Sequence, residues 1–412
     1  MMFIKVMKNI HELFLNKIKV NDLLTIFQFG LIKVAPAVAN LALIPYLIFN
    51  IGSSQYGLYS LYLGYAMLCT TVLTAILTQP MYRFLSSRKN EESMFNFLML
   101  ILCFANGLIS YIVILLHNSS IEIALAFGFY SAGALLSGFM GVKFQINGKI
   151  SQLAIYEALR LFLFLGTIIY VSYAGFSLQI KHLLFGLIIS NIVPFLIFSR
   201  NLNLCIFKKE WFFSIISYGS KSSLWLLLAG IPIVLSKTIL ADNLTEQQFG
   251  LYAATSDISY KGFSFMNAAI TMWAFPKLSK LYESQLFNEA KIVLNFSVLV
   301  YLVFGCMTVF IGVLLAKYFN FDYGALPSFG LLLIIFANFL WQAMSITHKP
   351  YELNIQTGRM LLNLFIGVIS FFLIYLFIVK VTKISILYAV TIPAIIVATI
   401  YCIYSFRVNL KV

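Results

Sequence analysis

The sequence predicts an all-α polytopic membrane protein with about twelve transmembrane helices. Its 412 residues are 61% hydrophobic and only 10% charged, with a mean hydropathy of +0.93. A soluble chain of this length has no interior large enough to bury so much apolar surface. Apolar runs of about 20 residues recur along the chain, and each is long enough to cross the hydrocarbon core as a helix. The short alternating segments of a membrane β-barrel are missing from the sequence.

Twelve apolar segments are predicted to span the membrane, and the loops between them are too short to hold a further domain. The segments are 23–49, 55–81, 94–116, 121–142, 151–175, 180–200, 214–240, 248–275, 291–316, 325–348, 359–380 and 384–406. Residues 1–20 interleave apolar side chains with lysines. This pattern predicts an amphipathic cytoplasmic segment at the membrane surface rather than a cleaved signal peptide. A solvated leader is the alternative.

The two halves of the chain share a repeat at an offset of 193 residues. The sequence QYGLY at 55–59 aligns with QFGLY at 248–252, and both copies then reach a proline, Pro80 or Pro276, followed by basic residues. The offset is close to half the chain, which indicates two related bundles, as in many membrane carriers. We therefore predict an N-terminal six-helix lobe at 21–205 and a C-terminal six-helix lobe at 206–412.

The net charge of +14 follows the expected topology rather than a nucleic-acid surface. With a cytoplasmic N-terminus, 19 of the 28 lysines and arginines lie on the inner side and 5 on the outer side. The positive-inside rule then places both termini in the cytoplasm, and the scattered basic residues predict no nucleic-acid partner.

The five isolated cysteines and four separated histidines indicate no disulfide framework and no metal site. No nucleotide-binding or hydrolase motif occurs, so no cofactor or catalytic residue is predicted.

Four cations fall inside predicted spans: Lys33, Arg160, Lys221 and Lys261. A cation at the centre of a span costs about 2.5–3.5 kcal/mol on insertion scales, so each must face water, pair with an acid or lie near an interface. Arg160 follows Glu157 by three residues, which places the pair on one helix face. A self-neutralising pair with no functional role is one interpretation of that spacing. Lys221 could instead extend its ammonium group to the cytoplasmic interface.

The other two cations, Lys261 and Lys33, have further polar residues on the same helix face. Lys261 follows Asp257 by four residues, and the same alternatives apply to that pair. Lys33 has no acid in its own span, and Asn40 shares its helix face. The candidate substrate-binding residues are Lys33, Asn40, Arg160, Lys221, Lys261 and Ser264, and the candidate ion-coupling residues are Asp257 and Glu157.

Polar and small residues line one face of the second and eighth spans. The residues are Ser60, Gly64, Met67, Thr71, Thr74 and Thr78 in the second span, and Asp257, Lys261, Ser264, Ala268 and Thr271 in the eighth. Such a stripe can be the wall of a water-filled cavity, or it can let membrane helices pack closely. Recurrence of the stripe in both halves favours the cavity.

Prolines interrupt the first helix of each half, at Pro36 and Pro45 in one and at Pro232 in the other. Proline removes a hydrogen bond and kinks a helix. Matching kinks in two repeats are typical of hinges in an alternating-access carrier, so we take these prolines as hinge candidates. Kinks that serve packing alone are the alternative.

Several segments resemble the polysaccharide repeat-unit flippases of the Wzx type, in the multidrug/oligosaccharidyl-lipid/polysaccharide exporter superfamily. They are NIG at 50–52, YGLY at 56–59 and RFLS at 83–86 in the first half, and FGLY at 249–252 and PKLS at 276–279 in the second. Span number and length extend the resemblance over nearly the whole chain.

The resemblance implies two six-helix lobes around a central cavity in the bacterial cytoplasmic (inner) membrane. The implied substrate is an undecaprenyl-pyrophosphate-linked oligosaccharide, and the implied partners are membrane lipids and the polysaccharide polymerase and chain-length machinery. Related cation antiporters are expected to carry an acid in the first membrane helix. Here Asp22 lies only at the edge of that span, which argues against a drug or small-cation exporter.

Three other functions remain open at this point. The first is export of drugs or small cations, which assays with organic cations would distinguish. A polysaccharide polymerase or ligase usually needs a large outer loop for its chemistry, and none is visible. A scaffold subunit would not need cations inside its spans.

The topology gives the first testable prediction. Reporter fusions at Arg88, Lys149, Lys209, Lys280 and Arg359 should all report a cytoplasmic location, because the positive-inside bias places each of these residues on the inner side. A single fusion that reports an outer location would contradict the twelve-span topology.

Overall fold

The computed structural model describes residues 39, 41–85, 92–117, 119–200, 209–318, 328–354, 356–382 and 384–408, and every regular element in these ranges is a helix. The helices are α1 (Leu41–Ile51), α2 (Ser53–Pro80), α3 (Glu92–Leu116), α4 (Ile121–Ile146), α5 (Ile150–Tyr173), α6 (Ile180–Phe198), α7 (Lys209–Asn243), α8 (Glu246–Glu283), α9 (Phe287–Tyr318), α10 (Ser328–Thr347), α11 (Thr357–Val381) and α12 (Ile386–Phe406). A π-helical turn, Met81–Leu85, follows α2, and a short helix, Lys349–Leu353, follows α10.

The predicted all-α polytopic fold is confirmed. Within the described ranges, ten helices are long and apolar enough to cross a membrane. Each predicted span from the second to the twelfth corresponds to one of the helices α2 to α12. The α8 helix is long but more polar, and it continues to Glu283 rather than ending near residue 275. Lysines after the apolar stretch end a hydropathy signal, but they are good helix formers and do not end a helix.

Some sequence predictions lie outside the described residues. They are the amphipathic segment 1–20 and the positions of Lys33, Pro36 and Asn40. The predicted lobe boundary between residues 205 and 206 also lies outside, within 201–208, and it stays a prediction.

Local signals in the sequence set several helix ends. Gly52 separates α1 from α2, and its φ of 81° lies in the left-handed region that glycine adopts without strain. The α8 helix begins with a capping box, in which the Gln248 amide N–H donates to Thr245 Oγ1 and the Thr245 N–H donates to Gln248 Oε1, both at 3.3 Å. Pro80 ends α2 at the π-helical turn, where irregular helix geometry is common.

The described residues form two compact units, one within Pro45–Ala253 and one made mostly of the residues from Ala254 onward. In the Pro45–Ala253 unit, α2 and α7 are antiparallel and in contact over most of their length. Ser60 meets Lys237 near one end, and Ile76 meets Gly219 near the other. We call this contact the α2–α7 seam.

Glycines on the neighbouring helices allow α2 to approach closely. A Cβ atom built at Gly219 or Gly230 of α7 would overlap Ile76 or Leu68 of α2, and one built at Gly138 of α4 would lie 2.9 Å from Thr74 Cγ2. Close approach through small residues is how membrane helices gain packing energy, because burial of apolar surface gives little advantage in lipid.

The two copies of the sequence repeat meet in this same unit. A Cβ atom at Gly57 would lie 2.8 Å from the Phe249 ring and 3.1 Å from Gly250 Cα, and one at Gly250 would overlap the carbonyl oxygen of Ser53. The start of α2 therefore crosses the start of α8 at the glycines that the 193-residue offset aligns.

The core of the other unit lies between α8, α9 and α10. Phe263, Tyr301, Phe339 and Ile346 form a buried cluster, in which the Tyr301 and Phe339 rings stack at 5.0 Å. The Tyr301 hydroxyl donates to the Phe339 carbonyl at 2.8 Å. These contacts fix the rotation of α8 about its own axis.

The helix crossings give a prediction about stability. Gly250→Ala should destabilise the protein by more than about 2 kcal/mol, because the added methyl group meets the helix backbone at Ser53 rather than a flexible side chain. Gly166→Ala is the matched control, since a Cβ there meets nothing within 4 Å. Thermal unfolding of the purified protein in detergent should show a loss for the first variant and no loss for the control. Similar behaviour of the two variants would contradict the crossing.

Candidate functional site

The described candidate residues lie on four helices. Arg160 and Glu157 are on α5, Lys221 and Pro232 are on α7, and Pro45 is in α1. Asp257, Lys261 and Ser264 are on α8. We consider α8 first, because it carries the predicted stripe with charged residues in it.

Hydrogen bonds to α10 show which face of α8 is packed. The Asn338 amide donates to Ser259 Oγ at 2.8 Å and to the Ser256 carbonyl at 3.2 Å. About two turns further along α8, the Asn267 amide donates to Gln342 Oε1 at 3.3 Å and to the hydroxyl of Ser345. Polar contacts between α8 and α10 therefore use Ser256, Ser259 and Asn267.

The predicted stripe lies on a different face of α8. Lys261 is about 160° around the helix from the buried Phe263. Asp257, Lys261 and Ser264 are half-buried, and Ala268 is exposed. We call these four residues the Lys261 face. This face therefore points away from the Phe263 cluster, and its role as a cavity wall stays a prediction.

The equivalent stripe on α2 divides into packed and open parts. Ser60 is buried against Lys237, Thr74 packs against Gly138 of α4, and Thr78 is buried. Met67 is 45% exposed and Thr71 is also exposed. The packing interpretation therefore describes both ends of this stripe, and only its middle is open.

Arg160 takes part in a polar network that joins α4, α5 and α6. Its guanidinium group donates to Glu157 Oε2 and to Asn191 Oδ1, both at 2.8 Å. The Tyr156 hydroxyl donates to Ser137 Oγ at 3.1 Å, and Ser137 in turn donates to the Asn191 carbonyl at 3.4 Å. This geometry matches the interpretation of a self-neutralising pair, so the roles of Arg160 in substrate binding and of Glu157 in ion coupling stay predictions.

Lys221 and the described hinge candidates, Pro45 and Pro232, lie on helices other than those of the Arg160 network. The Lys221 side chain is exposed, about 160° around α7 from Gly219, which contacts α2. That exposure agrees with an ammonium group that reaches an interface. Pro232 lies within the continuous helix α7, and Ser236 Oγ donates to its carbonyl at 2.6 Å. The hinge roles of Pro45 and Pro232 stay predictions.

Sequence reasoning missed Lys237 as a candidate site residue, since it was only one of the five cations assigned to the outer side. In the structure Lys237 is only 5% exposed, and its Nζ donates to Ser60 Oγ at 2.7 Å. Hydropathy gives the depth of a residue in a span but not the helix that covers it, so the contact with Ser60 was not predicted. The one available signal was Ser60 in the second span, a polar residue at the corresponding depth in an antiparallel helix.

A second polar contact lies next to Lys237. The Tyr65 hydroxyl and Thr238 Oγ1 are 2.6 Å apart. The Tyr65 ring also stacks on His117 at 4.4 Å between ring centroids. The outer part of α2, in the predicted topology, is therefore held to α7 by side-chain hydrogen bonds.

Comparisons with solved structures identify the fold. The chain matches an inward-facing multidrug resistance MATE family transporter of the MOP superfamily with a TM-score of 0.62 and 14% identity, over 91% of this chain and 97% of that one. The chain has the MATE-like transporter fold. A MOP superfamily transporter from Pyrococcus furiosus, whose reversed binding-pocket polarity suggests a different function, matches with a TM-score of 0.63 and 15% identity, over 93% and 92%.

Other comparisons found less. No protein-family model matches the chain, and no curated protein matches it. A MATE protein in complex with MaL6 matches with a TM-score of 0.57 and 14% identity, over 93% of this chain and 92% of that one. At these identities the likeness establishes the fold, and the function has to be argued from the residues of this chain.

The Arg160 network gives a prediction about the stability of the protein. Arg160→Met should lower stability by roughly 2 kcal/mol, because Glu157 is 13% exposed in its side chain and loses a charged donor. The double change Glu157→Gln with Arg160→Met should recover much of that loss. Thermal unfolding in detergent measures both. A double variant that is less stable than Arg160→Met would contradict the pairing.

Proposed function

We propose that this protein is a flippase that moves undecaprenyl-pyrophosphate-linked oligosaccharide repeat units from the inner to the outer leaflet by alternating access. The Lys261 face is the observation that carries the proposal. It places a half-buried cation near the middle of a helix of membrane-spanning length, on the side of α8 opposite the buried Phe263. An intramembrane cation at such a position is usually functional.

The chemistry of this face suits an anionic sugar lipid. The Lys261 ammonium group can donate to phosphate oxygens, and charge-assisted bonds of this type are stronger than neutral ones. The Ser264 hydroxyl can both donate to and accept from sugar hydroxyl groups. Asp257 at i−4 keeps the face from carrying an uncompensated charge while no substrate is bound. Asp257 is also the residue of this face that could carry a coupling proton or cation.

Movement of a charged sugar lipid across the membrane requires a polar surface of this type. The pyrophosphate and sugar would lose their hydration in hydrocarbon, so a polar path across the membrane must replace water. The lipid tail can stay in the bilayer throughout. Movement of the anionic headgroup out of a negative cytoplasm gains about 2.3 kcal/mol per charge per 100 mV, so an obligatory coupling ion is not needed.

The fold supports a transporter rather than an enzyme, and it is shared with multidrug MATE transporters. The Pyrococcus furiosus relative indicates that pocket polarity can differ between proteins of this fold. An exporter of organic cations would need an acidic site. Lys261 argues against it, and the assay below decides between the two.

The cellular setting belongs to the same proposal. The protein would lie in the bacterial cytoplasmic membrane with both termini inside, in contact with membrane lipids. Its product on the outer leaflet would be the substrate of the polysaccharide polymerase and chain-length machinery.

Deletion of the gene tests the function. Lipid-linked repeat units should then accumulate on the inner leaflet and surface polysaccharide should disappear, and Lys33→Ala or Lys261→Ala should lower export while membrane protein levels stay normal. Arginine at either position should retain more export than alanine, because the charge rather than the shape is used. Normal surface polysaccharide in a deletion strain without a redundant flippase, or restored efflux of organic cations by the protein, would reject the proposal.

A further inference from the structure

We propose that Lys237 is a second anion-binding residue, which the α2–α7 seam covers in this structure and which binds the pyrophosphate of the transported lipid when the outer part of the seam opens. This inference rests on the proposed function and adds to it a site that the sequence did not indicate. Four observations about the seam carry it.

The first observation is burial. Lys237 is 5% exposed, although it lies only six residues before the end of α7 at Asn243. A lysine so near a helix end could reach the interface by extending its side chain. Instead the side chain turns onto α2, where its Cδ lies 3.9 Å from a Cβ built at Gly64. The small residue at position 64 leaves room for the lysine stem.

The second observation is what the ammonium group contacts on α2. Its Nζ donates to Ser60 Oγ at 2.7 Å and lies 3.5 Å from the Ser60 carbonyl oxygen. Both acceptors are neutral oxygens. A pyrophosphate offers oxygens of the same hydrogen-bonding type that also carry charge, and such acceptors bind an ammonium group more strongly. An anion can therefore compete with Ser60 for the ammonium group of Lys237.

The third observation is that the seam is built differently along its length. Near Lys237 it is joined by side-chain hydrogen bonds, Lys237 to Ser60 and Tyr65 to Thr238. Further along it is joined by glycines packed against α2, Gly230 at Leu68 and Gly219 at Ile76. Hydrogen bonds between side chains can be exchanged for bonds to a ligand or water, whereas packing at glycine can only be lost. Within the α2–α7 seam, the Lys237 contact is therefore one that an anion can replace without loss of glycine packing.

The fourth observation is the position of Lys237 along the transport direction. In the predicted topology α7 runs from the inner to the outer side, so Lys237 lies beyond the middle of the membrane. Lys261 lies close to the centre of its predicted span, 248–275. A headgroup that crosses toward the outer leaflet reaches the depth of Lys237 in the second half of its passage.

Replacement of the chromosomal gene by variants tests the role of the charge. Lys237→Gln should lower the appearance of surface polysaccharide about tenfold at equal membrane protein level, the loss expected for one charged hydrogen bond. Lys237→Arg should retain most export. Ser60→Ala should export at the parental rate or faster, because Lys237 keeps its charge and the seam opens more easily. Lys380→Gln is the matched control, since it removes an exposed cation on the outer side.

The outcomes separate three possibilities. If Ser60→Ala is as defective as Lys237→Gln, the contact holds the helices together and anion binding by Lys237 is overturned. Parental export by Lys237→Gln overturns it as well. If the parental gene itself does not restore export to the deletion strain, the proposed function fails instead.

Thiol labelling tests whether the transported lipid, rather than any phospholipid phosphate, opens the seam. Ser60→Cys is placed in a background with the five native cysteines replaced, after export by that background has been verified. A membrane-impermeant maleimide should label it in cells that make repeat units, several-fold faster than in cells blocked in the first glycosyl transfer. Equal labelling in the two strains, or none in either, would overturn the proposal.

Discussion

The close approach of α2 to its neighbours is the constraint on which the Pro45–Ala253 unit depends. Membrane helices gain little from burying apolar surface, so they associate where backbones can come near each other. Neighbouring helices meet α2 with glycine: Gly138 from α4, Gly219 and Gly230 from α7, and Gly250 from α8. Because these contacts occur at several positions along α2, they fix its position along its own axis and its rotation about that axis. The rotation then decides which polar side chains of α2 face a neighbouring helix and which stay exposed.

Polar compensation is the second requirement, and charged and neutral groups meet it in different ways. In the Pro45–Ala253 unit, Arg160 pairs with Glu157 and Asn191, and Lys237 is held by Ser60. In the other unit, the amide of Asn338 joins α8 to α10 without charge. A buried charge needs a partner of matching geometry, whereas neutral amides and hydroxyls satisfy each other at less cost. The charged residues of α8 are thereby kept apart from the packed face.

Helix number and most helix limits could be predicted from the sequence, because a 20-residue apolar run has few alternatives in a membrane. The contacts between helices distant in sequence could not. Ser60 and Thr71 belong to one stripe by spacing, yet one is buried and the other exposed. The exposure of each residue depends on where another helix crosses α2, and the spacing of polar residues in the sequence does not show where that crossing lies. The spacing of Arg160 and Glu157 did give their pairing, because i and i+3 are neighbours on any helix. The contact of Lys237 with Ser60 could not be predicted without knowing that α2 packs antiparallel to α7.

The meeting of Gly57 with Gly250 has a consequence for how such a chain can have arisen. The two positions are equivalent under the 193-residue repeat, and their backbones are in contact. In a homodimer of a single ancestral repeat, a residue that touches its own copy lies at the twofold axis of an isologous interface. A side chain at this position would have been present in both subunits, and the two copies would have had to fit into the same small space. Fusion of the two genes relaxes this restriction, because each copy can then change alone, but only into the volume its twin leaves free.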